Sequence, residues 1–256
     1  MTSPATAQPV AIVTGSSAGI GLAVATSLAE AGYAVVITSR TLDRAQAVAE
    51  KLVAGGHAAL PVAVDVGDPD QIENMFAAVD SAYGRLDLLV NNAGVGAIGA
   101  SETYPLRKWN RILALNLTGP FLCSQFAATR MHDRGGVIIN IASIYATISA
   151  PGRAAYATSK HGLIGLTKVL ATEWAPLGIR VLAVAPSYIT TDLIQQAVDS
   201  GNFDLDKTLA RTPMNRLGTT DEVAGVVSFL ASPAAGYMTG SVVYVDGGWA
   251  SFGGPA

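Results

Sequence analysis

The sequence predicts an α/β fold with a doubly wound, seven-stranded parallel sheet flanked by helices. From position 10 onward, short runs rich in β-branched residues alternate with longer segments of helical period, which is the pattern of repeated βαβ units. Hydrophobic residues make up 50% of the chain and charged residues only 14%, a balance that suits a sheet buried on both faces. A glycine-rich turn between the first strand and the first helix is typical of the Rossmann type of this fold.

The organisation of the chain favours one domain. A chain of 256 residues is long enough for one large α/β domain, and neither an internal repeat nor a low-complexity linker divides it. We expect a flexible N-terminal tail at 1–9 and a single Rossmann-fold domain at 10–256. Within that domain, the polar and mixed stretch 187–216 fits neither the strand nor the helix pattern, and we expect it to form a mobile lid over the active site.

Strands and helices are predicted in alternation along the domain. The predicted strands are 11–14, 34–38, 59–64, 86–91, 137–142, 180–185 and 241–245. The predicted helices are 20–31, 42–54, 70–83, 106–131, 155–174 and 221–231. Asp68 and Pro69 supply a capping carboxylate and a first-turn proline for the third helix. Gly32, Gly84 and Gly178 lie where helices should end.

Composition and charge argue against several kinds of partner. The net charge of −3 offers no electrostatic attraction for nucleic acid or for an anionic membrane. Cys123 is the only cysteine, so we expect no disulfide framework, no thiolate metal cluster and a reducing, cytoplasmic location. His57, His132 and His161 lie in separate segments without the spacing of a zinc site, and we expect no metal. The N-terminus lacks a signal-peptide pattern and no apolar run reaches about 18 residues, so we expect no membrane segment.

The turn after the first strand carries Gly15, Gly19 and Gly21 in the spacing Gly-x-x-x-Gly-x-Gly. A helix N-terminus offers unpaired N–H groups and the positive end of the helix dipole, so a pyrophosphate can bind there if no side chain blocks it. The hydroxyls of Ser16 and Ser17 add possible donors. A tight strand-to-helix turn without a ligand is the alternative. The cofactor-binding residues predicted from this turn are Gly15, Ser17, Gly19, Ile20 and Gly21.

The end of the second strand indicates which dinucleotide binds. A dinucleotide fold normally places an acid there, which accepts a hydrogen bond from the ribose 2′-hydroxyl. This chain has Ser39 and Arg40 instead, and the guanidinium fork of Arg40 can pair with a 2′-phosphate. NADP is therefore favoured over NAD, although the nearby Asp43 keeps NAD open and Arg40 could be only a solvated loop residue.

Tyr156 and Lys160 lie four residues apart in a segment of helical period, so one helix face should carry both. A phenol normally titrates near pKa ~10, and moving its pKa to ~7 requires about 4 kcal/mol of differential stabilisation. A nearby cation can supply it, so we expect Lys160 to lower the pKa of Tyr156. This spacing also arises by chance in many helices, and its meaning depends on the motifs upstream.

Taken with the glycine turn and the Tyr156/Lys160 pair, further motifs give the chain a resemblance to the short-chain dehydrogenase/reductase family over nearly its whole length. An Asn-Asn-Ala-Gly motif at 91–94 closes the fourth strand, and a Val-Asp-Gly-Gly motif at 245–248 ends the last strand, as in that family. Asn116 and Ser143 occupy the positions of the family's other catalytic residues, with Ser143 thirteen residues before Tyr156.

The resemblance implies roles for further positions, one at a time. Asp65 and Val66 resemble the pair that contacts the adenine. The family usually has Pro-Gly after the sixth strand, and Ser187 departs from that pattern, which should narrow the pocket or shift the backbone. The cofactor contacts implied in this way are Asp65, Val66, Asn92, Ala93, Gly94, Tyr156, Lys160, Pro186, Ile189 and Thr191, in addition to Ser39 and Arg40. The implied substrate contacts are Ser143, Tyr145, Tyr156 and Tyr188, and Tyr145 could equally be a packing aromatic.

The implied reaction is reversible hydride transfer between a nicotinamide and a ketone or secondary alcohol, with NADPH-dependent carbonyl reduction favoured. Tyr156 would protonate the developing alkoxide, and Ser143 would hold the same oxygen. Lys160 would lower the pKa of Tyr156 and bind the nicotinamide ribose, and Asn116 would hold a water that links Lys160 to solvent.

The alternatives are an NAD-dependent sugar, polyol or secondary alcohol dehydrogenase and, more distantly, a nicotinamide-binding regulator without turnover. A halohydrin dehalogenase would lack the nucleotide turn, and enoyl reductases of this superfamily space their Tyr and Lys more widely.

The implied partners are a small carbonyl or alcohol substrate and further copies of the chain. The family's members are commonly tetramers or dimers, and we expect a homotetramer or homodimer with interfaces at 156–174 and 249–256. The identity of the carbonyl stays open between keto sugars, small ketones, keto esters and ketoacyl thioesters.

Overall fold

The seven predicted strands all form and join one parallel sheet, which confirms the predicted fold class. The computed structural model describes residues 8–96 and 98–253, so most of the tail predicted at 1–9 lies outside the described residues. The strands are β1 (Val10–Val13), β2 (Ala34–Ser39), β3 (Ala59–Ala63), β4 (Leu88–Asn91), β5 (Gly136–Ile141), β6 (Ile179–Pro186) and β7 (Val242–Val245). Their spatial order is β3-β2-β1-β4-β5-β6-β7, and every neighbouring pair is parallel.

Helices cover both faces of the sheet. They are α1 (Gly19–Glu30), α2 (Leu42–Ala54), α3 (Pro69–Tyr83), α4 (Leu106–Leu113), α5 (Gly119–Met131), α6 (Ala154–Trp174), α7 (Asp192–Asp199), α8 (Leu205–Arg211) and α9 (Thr220–Ala231). α1, α2 and α9 enclose one hydrophobic core, and α3, α5 and α6 enclose the other. Successive residues of β1 alternate between them, with Ala11 and Val13 in the first core and Val10 and Ile12 in the second.

The stretch 106–131, predicted as one helix, is interrupted by a wide π turn at Ala114–Thr118. Pro120 has no N–H, so the carbonyl of Asn116 loses the partner that an α-helix would give it. Gly119 also lies so close to the Val66 carbonyl that a Cβ there would be 2.1 Å from its oxygen. The π turn fits both constraints, and such turns are frequent at functional sites.

The same continuous stretch, Leu106–Met131, is long and apolar enough by length and composition to cross a membrane. Half of its most apolar part is buried inside the protein, and core helices of globular proteins pass the same test. This is weak evidence for a span.

The segment predicted as an irregular lid contains two short helices, α7 and α8. Side chains cap both: Thr191 Oγ1 accepts from the N–H of Ile194, and Asp204 Oδ1 accepts from the N–H of Lys207. The sequence pattern missed them because each spans only about two turns, too short for a clear helical period.

The sheet topology places a crevice beside the glycine turn. After β3, the chain crosses back to the other side of β1 to form β4, so β1 has β2 on one side and β4 on the other. In open α/β sheets, ligands bind at this switch point, outside the carboxyl ends of the strands.

Candidate active site

The glycine turn is a backbone cradle in which a side chain would be strained at Gly15 and Gly19 and would collide at Gly21. Gly15 and Gly19 have φ values of 67° and 55°, in the left-handed region that favours glycine. A Cβ on Gly21 would lie 2.4 Å from both the Gly15 carbonyl oxygen and Asn92 Nδ2. Asn92 Nδ2 donates to the carbonyls of Thr14 (2.9 Å) and Gly15 (3.2 Å), so it ties the turn to the end of β4.

Buried hydroxyls hold this turn from behind. Thr38 Oγ1 accepts from the N–H of Gly15 at 2.8 Å, and Thr14 Oγ1 accepts from the N–H groups of Asn92 and Ala93 at 2.9 and 3.0 Å. Ser16 is fully buried, donates to the Val13 carbonyl and accepts from the N–H of Thr38. The expectation that the Ser16 hydroxyl is available to a ligand is therefore wrong, because both strand ends already use it. Ser17 does line the cleft above the turn.

A cleft of about 470 Å³ extends from the turn across the ends of β2 and β3. It brings together thirteen of the predicted cofactor residues: Gly15, Ser17, Gly19, Ile20, Gly21, Ser39, Arg40, Asp65, Val66, Asn92, Ala93, Gly94 and Thr191. The prediction missed Arg44, which lines the same end as Arg40, whereas Asp43 does not line the cleft. The sequence could have indicated Arg44, because it lies in the first turn of α2 and only four residues after Arg40.

Asp65 lies in this cleft with both carboxylate oxygens already engaged. Oδ2 accepts from Arg111 Nη2, and Oδ1 accepts from the N–H of Gly67 at 2.9 Å. Burial acts to raise the pKa of Asp65, but these hydrogen bonds and the charges of Arg111 and Arg40 lower the pKa below its ordinary value. Arg111 was not singled out from the sequence, because its partner lies 46 positions away.

A second cleft of about 310 Å³ continues from the first toward the end of β5. The two share Ile20, Asn92, Gly94, Val95, Thr191 and Leu193 in their walls. The second is also lined by Ser143, Tyr156, Lys160, Pro186, Ser187, Tyr188 and Ile189. The predicted cofactor residues and three of the four predicted catalytic residues therefore line one continuous groove.

Tyr156 and Lys160 share this groove, but burial dominates their ionisation. Lys160 is 5% exposed, and its Nζ donates to the Ile141 carbonyl at 2.7 Å and lies 5.9 Å from the Tyr156 ring centre. Burial lowers the pKa of Lys160 to about 8. Burial also raises the pKa of Tyr156, against a hydrogen bond with Ser143 and the charge of Arg153. The expectation that Lys160 lowers this pKa is wrong for this structure: the opposing positive charge is that of Arg153.

Asn116 lies in the π turn and is fully buried behind the groove. Its side chain accepts from the Val95 N–H (2.9 Å) and donates to the Val95 carbonyl (3.0 Å) and to Ser159 Oγ (3.1 Å). Asn116 therefore binds both backbone groups of Val95, its N–H and its carbonyl, and so holds the loop that follows β4. A Cβ on Gly94 would lie 3.1 Å from Asn116 Oδ1 and 3.7 Å from Lys160 Nζ, so both groups converge beneath Gly94.

Aromatic side chains pack beside the second cleft: Tyr188 lines it, whereas Tyr145, predicted as a substrate contact, does not. The hydroxyls of Tyr145 and Tyr188 are hydrogen-bonded at 2.9 Å, and the Tyr145 ring meets the Tyr156 ring edge-on at 6.1 Å. Burial and the hydrogen bond with Tyr145 raise the pKa of Tyr188. Phe203 and Trp249 pack against Tyr188 at 5.3 and 5.2 Å, contacts that no sequence spacing indicated.

The residues present fit a nicotinamide dinucleotide. Gly15, Gly19 and Gly21 line the cleft without side chains, which suits the close approach of a pyrophosphate to the backbone of the turn. Two guanidinium groups lie at one end of the groove, and a buried serine, a buried lysine and a half-buried tyrosine lie at the other.

Comparison with known proteins identifies the family to which the chain belongs. Residues 15–250 match the family profile described as enoyl-(acyl carrier protein) reductase. The chain is 39% identical over 250 residues to a 3-oxoacyl-[acyl-carrier-protein] reductase of Synechocystis, covering 96% of this chain and 98% of that protein. It belongs to the short-chain dehydrogenase/reductase family.

Other members of the short-chain dehydrogenase/reductase family differ in the reactions that they are named for. The D-threitol dehydrogenase of Mycolicibacterium smegmatis is 38% identical over 241 residues, covering 94% of this chain and 92% of that one. The crystal structure of a gluconate 5-dehydrogenase from Burkholderia cenocepacia in complex with NADP and tartrate has a TM-score of 0.91, with 36% identity and coverage of 96% of both chains. This short-chain dehydrogenase/reductase is an oxidoreductase that acts on CH–OH or C=O groups with a nicotinamide cofactor.

Proposed function

We propose that this protein is an NADPH-dependent carbonyl reductase. The observation that carries the proposal is the single groove described above, with Arg40 and Arg44 at one end and Ser143, Tyr156 and Lys160 at the other. A nicotinamide dinucleotide in that groove would have its adenosine end near the guanidinium groups and its reactive ring near Tyr156.

The preference for NADPH rests on the end of β2. Ser39 stands where NAD-binding folds usually place an acid, and it is followed by an arginine. Arg40 and Arg44 are both exposed in the same cleft wall, and two guanidinium groups suit a 2′-phosphate better than a 2′-hydroxyl. The relative solved with NADP bound is consistent with this preference.

The bound cofactor supplies the hydride; the chain supplies position and a proton. Ser143 and Tyr156 would both hydrogen-bond the carbonyl oxygen, and the Tyr156 hydroxyl would give its proton to that oxygen as negative charge develops. Its raised pKa keeps Tyr156 protonated at neutral pH, which is the form that a reduction needs. Lys160 would bind the ribose hydroxyls of the cofactor and replace the proton that Tyr156 gives up. Asn116 would hold the loop at Val95, which forms part of the wall of the groove.

An NAD-dependent sugar or polyol dehydrogenase is the second candidate, and the named threitol and gluconate dehydrogenases among its relatives favour it. An enoyl reductase is less well supported, because the Tyr156-x-x-x-Lys160 spacing is closer than in that group, although the matching family profile carries that name.

The proposal includes how the protein is built and where it works. Residues 10–256 would form one domain, with 187–216 as a lid, since Thr191, Asp192 and Leu193 of this segment line the cofactor cleft.

The enzyme would be a cytoplasmic homotetramer or homodimer. An exposed Val169 on α6 (52%) and an exposed Phe121 on α5 (39%) support an interface there, and light scattering that finds a monomer would contradict it.

The test is a panel of carbonyl substrates with NADPH and with NADH, followed by absorbance at 340 nm. We expect consumption of NADPH with at least one ketone class and a kcat/KM at least tenfold lower with NADH. Activity with NAD⁺ and polyols at alkaline pH, but none with NADPH and ketones, would establish the second candidate instead. No reaction in either direction would contradict the enzyme assignment.

A further inference from the structure

We propose that Arg153 selects substrates that carry a carboxylate near the reacting carbonyl. The proposal rests on the carbonyl reductase function and adds a substrate class: small oxo acids rather than neutral ketones or thioesters.

Arg153 is held beside the reacting phenol by an aromatic ring. It directly precedes α6, three positions before Tyr156. Its guanidinium carbon lies 5.4 Å from the centre of the Tyr145 ring, and that ring meets Tyr156 edge-on at 6.1 Å. A cation over an aromatic face is stabilised by the ring, which fixes its place without neutralising its charge.

Within residues 8–96 and 98–253, Arg153 forms no ion pair with an acidic side chain. The arginines that do form ion pairs there are Arg85, Arg111, Arg130 and Arg216. Arg153 is half-buried. Burial raises the pKa of both Tyr156 and Tyr188, and the positive charge of Arg153 acts in the opposite direction on both. A half-buried guanidinium next to an active site and without a carboxylate of its own is suited to a carboxylate supplied by the substrate.

The paired phenols add a second recognition group. When one hydroxyl of the Tyr145–Tyr188 pair donates to the other, one O–H hydrogen of the pair remains for a substrate oxygen. A carboxylate has two oxygens, which the guanidinium and this hydroxyl can bind together. Phe203 and Trp249 pack against Tyr188 and fix the wall that carries it.

The position of Arg153 bears on which of two kinds of relative this chain resembles in its substrate. A 3-oxoacyl-[acyl-carrier-protein] reductase is named for an acyl substrate carried on a protein, whereas the gluconate 5-dehydrogenase was solved with tartrate, a dicarboxylate. The charge of Arg153 favours the second kind of substrate for this chain.

The experiment compares each oxo acid with its own methyl ester, so that the two substrates differ chiefly in charge. The pairs are 3-oxobutanoate, 4-oxopentanoate and 5-oxohexanoate with their esters, at pH 7.5 and saturating NADPH. For the best pair, we expect the wild type to have a higher kcat/KM for the acid. In Arg153→Gln, the acid-to-ester ratio should fall at least tenfold, mainly through KM for the acid, and Arg153→Lys should restore part of it.

Two features of the experiment separate a loss of carboxylate recognition from a general loss of stability, activity or positive charge. The ratio within each variant cancels any change in folding or in the Tyr156 pKa that affects both substrates alike. Arg134→Gln is the matched control, because it removes the same charge from an exposed arginine just before β5, at the amino ends of the strands and therefore opposite the groove, and it should leave the ratio unchanged.

Binding provides a readout that does not need turnover. In the presence of NADP⁺, the preferred acid should raise the unfolding temperature of the wild type more than its ester does, and this difference should disappear in Arg153→Gln. If no carbonyl is reduced but this shift is seen, the proposed function fails and the carboxylate site stands. An acid-to-ester ratio that is the same in Arg153→Gln and the wild type, or an ester that is preferred by the wild type, overturns the inference.

Discussion

Replacing Gly21 by alanine tests whether the glycine turn is the cofactor cradle. A Cβ at this position would lie 2.4 Å from the Gly15 carbonyl oxygen and 2.4 Å from Asn92 Nδ2. Ordinary van der Waals contacts begin near 3.4 Å, so the neighbours must move by about 1 Å. Gly15 is backbone in the left-handed region, and Asn92 is the side chain that holds it, so neither can move without opening the turn.

The expected loss combines overpacking with the loss of a hydrogen bond. Inserting a methyl group into a packed site costs about 1–3 kcal/mol. In a protein of this length, that corresponds to an unfolding temperature lower by about 2–12 °C. The affinity for NADPH should fall by at least tenfold, because the N–H groups of the turn no longer converge.

The assay is thermal unfolding with and without NADPH, together with titration of NADPH by fluorescence. Gly225→Ala is the control, since Gly225 lies in α9 with nothing within 4 Å of its virtual Cβ. It should stabilise the protein by about 0.5–1 kcal/mol through helix propensity and leave NADPH binding unchanged. If Gly21→Ala matches the wild type in both measurements, the turn is not the cradle described above.

Further substitutions test the chemistry at each end of the groove. Tyr156→Phe should lower kcat by at least ~10² while NADPH still binds, and near-normal turnover would remove Tyr156 as the acid. Arg40→Asp together with Arg44→Gln should raise KM for NADPH at least tenfold and lower it for NADH, and an unchanged ratio of the two constants would contradict the 2′-phosphate assignment. Lys160 has a folded-state pKa of about 8, below its unfolded value, so the unfolded chain binds more protons above pH 8. Relative to Lys160→Met, the wild type should therefore gain stability as pH rises from about 8 toward 10, by at most about 1.4 kcal/mol per pH unit in denaturant titrations, and a parallel pH dependence of the two would contradict this.

The sheet could be predicted because burial on both faces leaves a strong pattern. β1 and residues 181–185 of β6 are uninterrupted apolar runs, and each observed strand lies within about two residues of its predicted range. The groove could be predicted for the same reason, since its residues follow the carboxyl ends of these strands.

Contacts between distant loops could not be predicted. The Tyr145–Tyr188 hydrogen bond joins residues 43 positions apart and depends on the rotamers of both. The stacking of Arg153 on Tyr145 likewise depends on how two turns meet. The pKa of Tyr156 was misjudged because spacing shows a neighbouring charge but not the depth of burial, which is the larger effect here.

The break in the long helix had a partial signal. Gly119 and Pro120 lie in its middle, but a period of 3.6 residues cannot reveal one extra residue in a single turn. The predicted catalytic roles of Ser143, Tyr156, Lys160 and Asn116 stay predictions, although the structure brings the four together.

The π turn at Ala114–Thr118 also fixes the rotation of α4 against α5. An α-helix advances by about 100° per residue, so one additional residue in the turn shifts the phase of everything before it. Deleting a single residue there would remove this phase shift, and it would swing Arg111 away from Asp65 and Asn116 away from Val95 while α5 stayed fixed in the core. The angular register of this helix therefore couples the Asp65 end of the groove to the Tyr156 end, and the length of 114–118 should be among the least variable features of the chain.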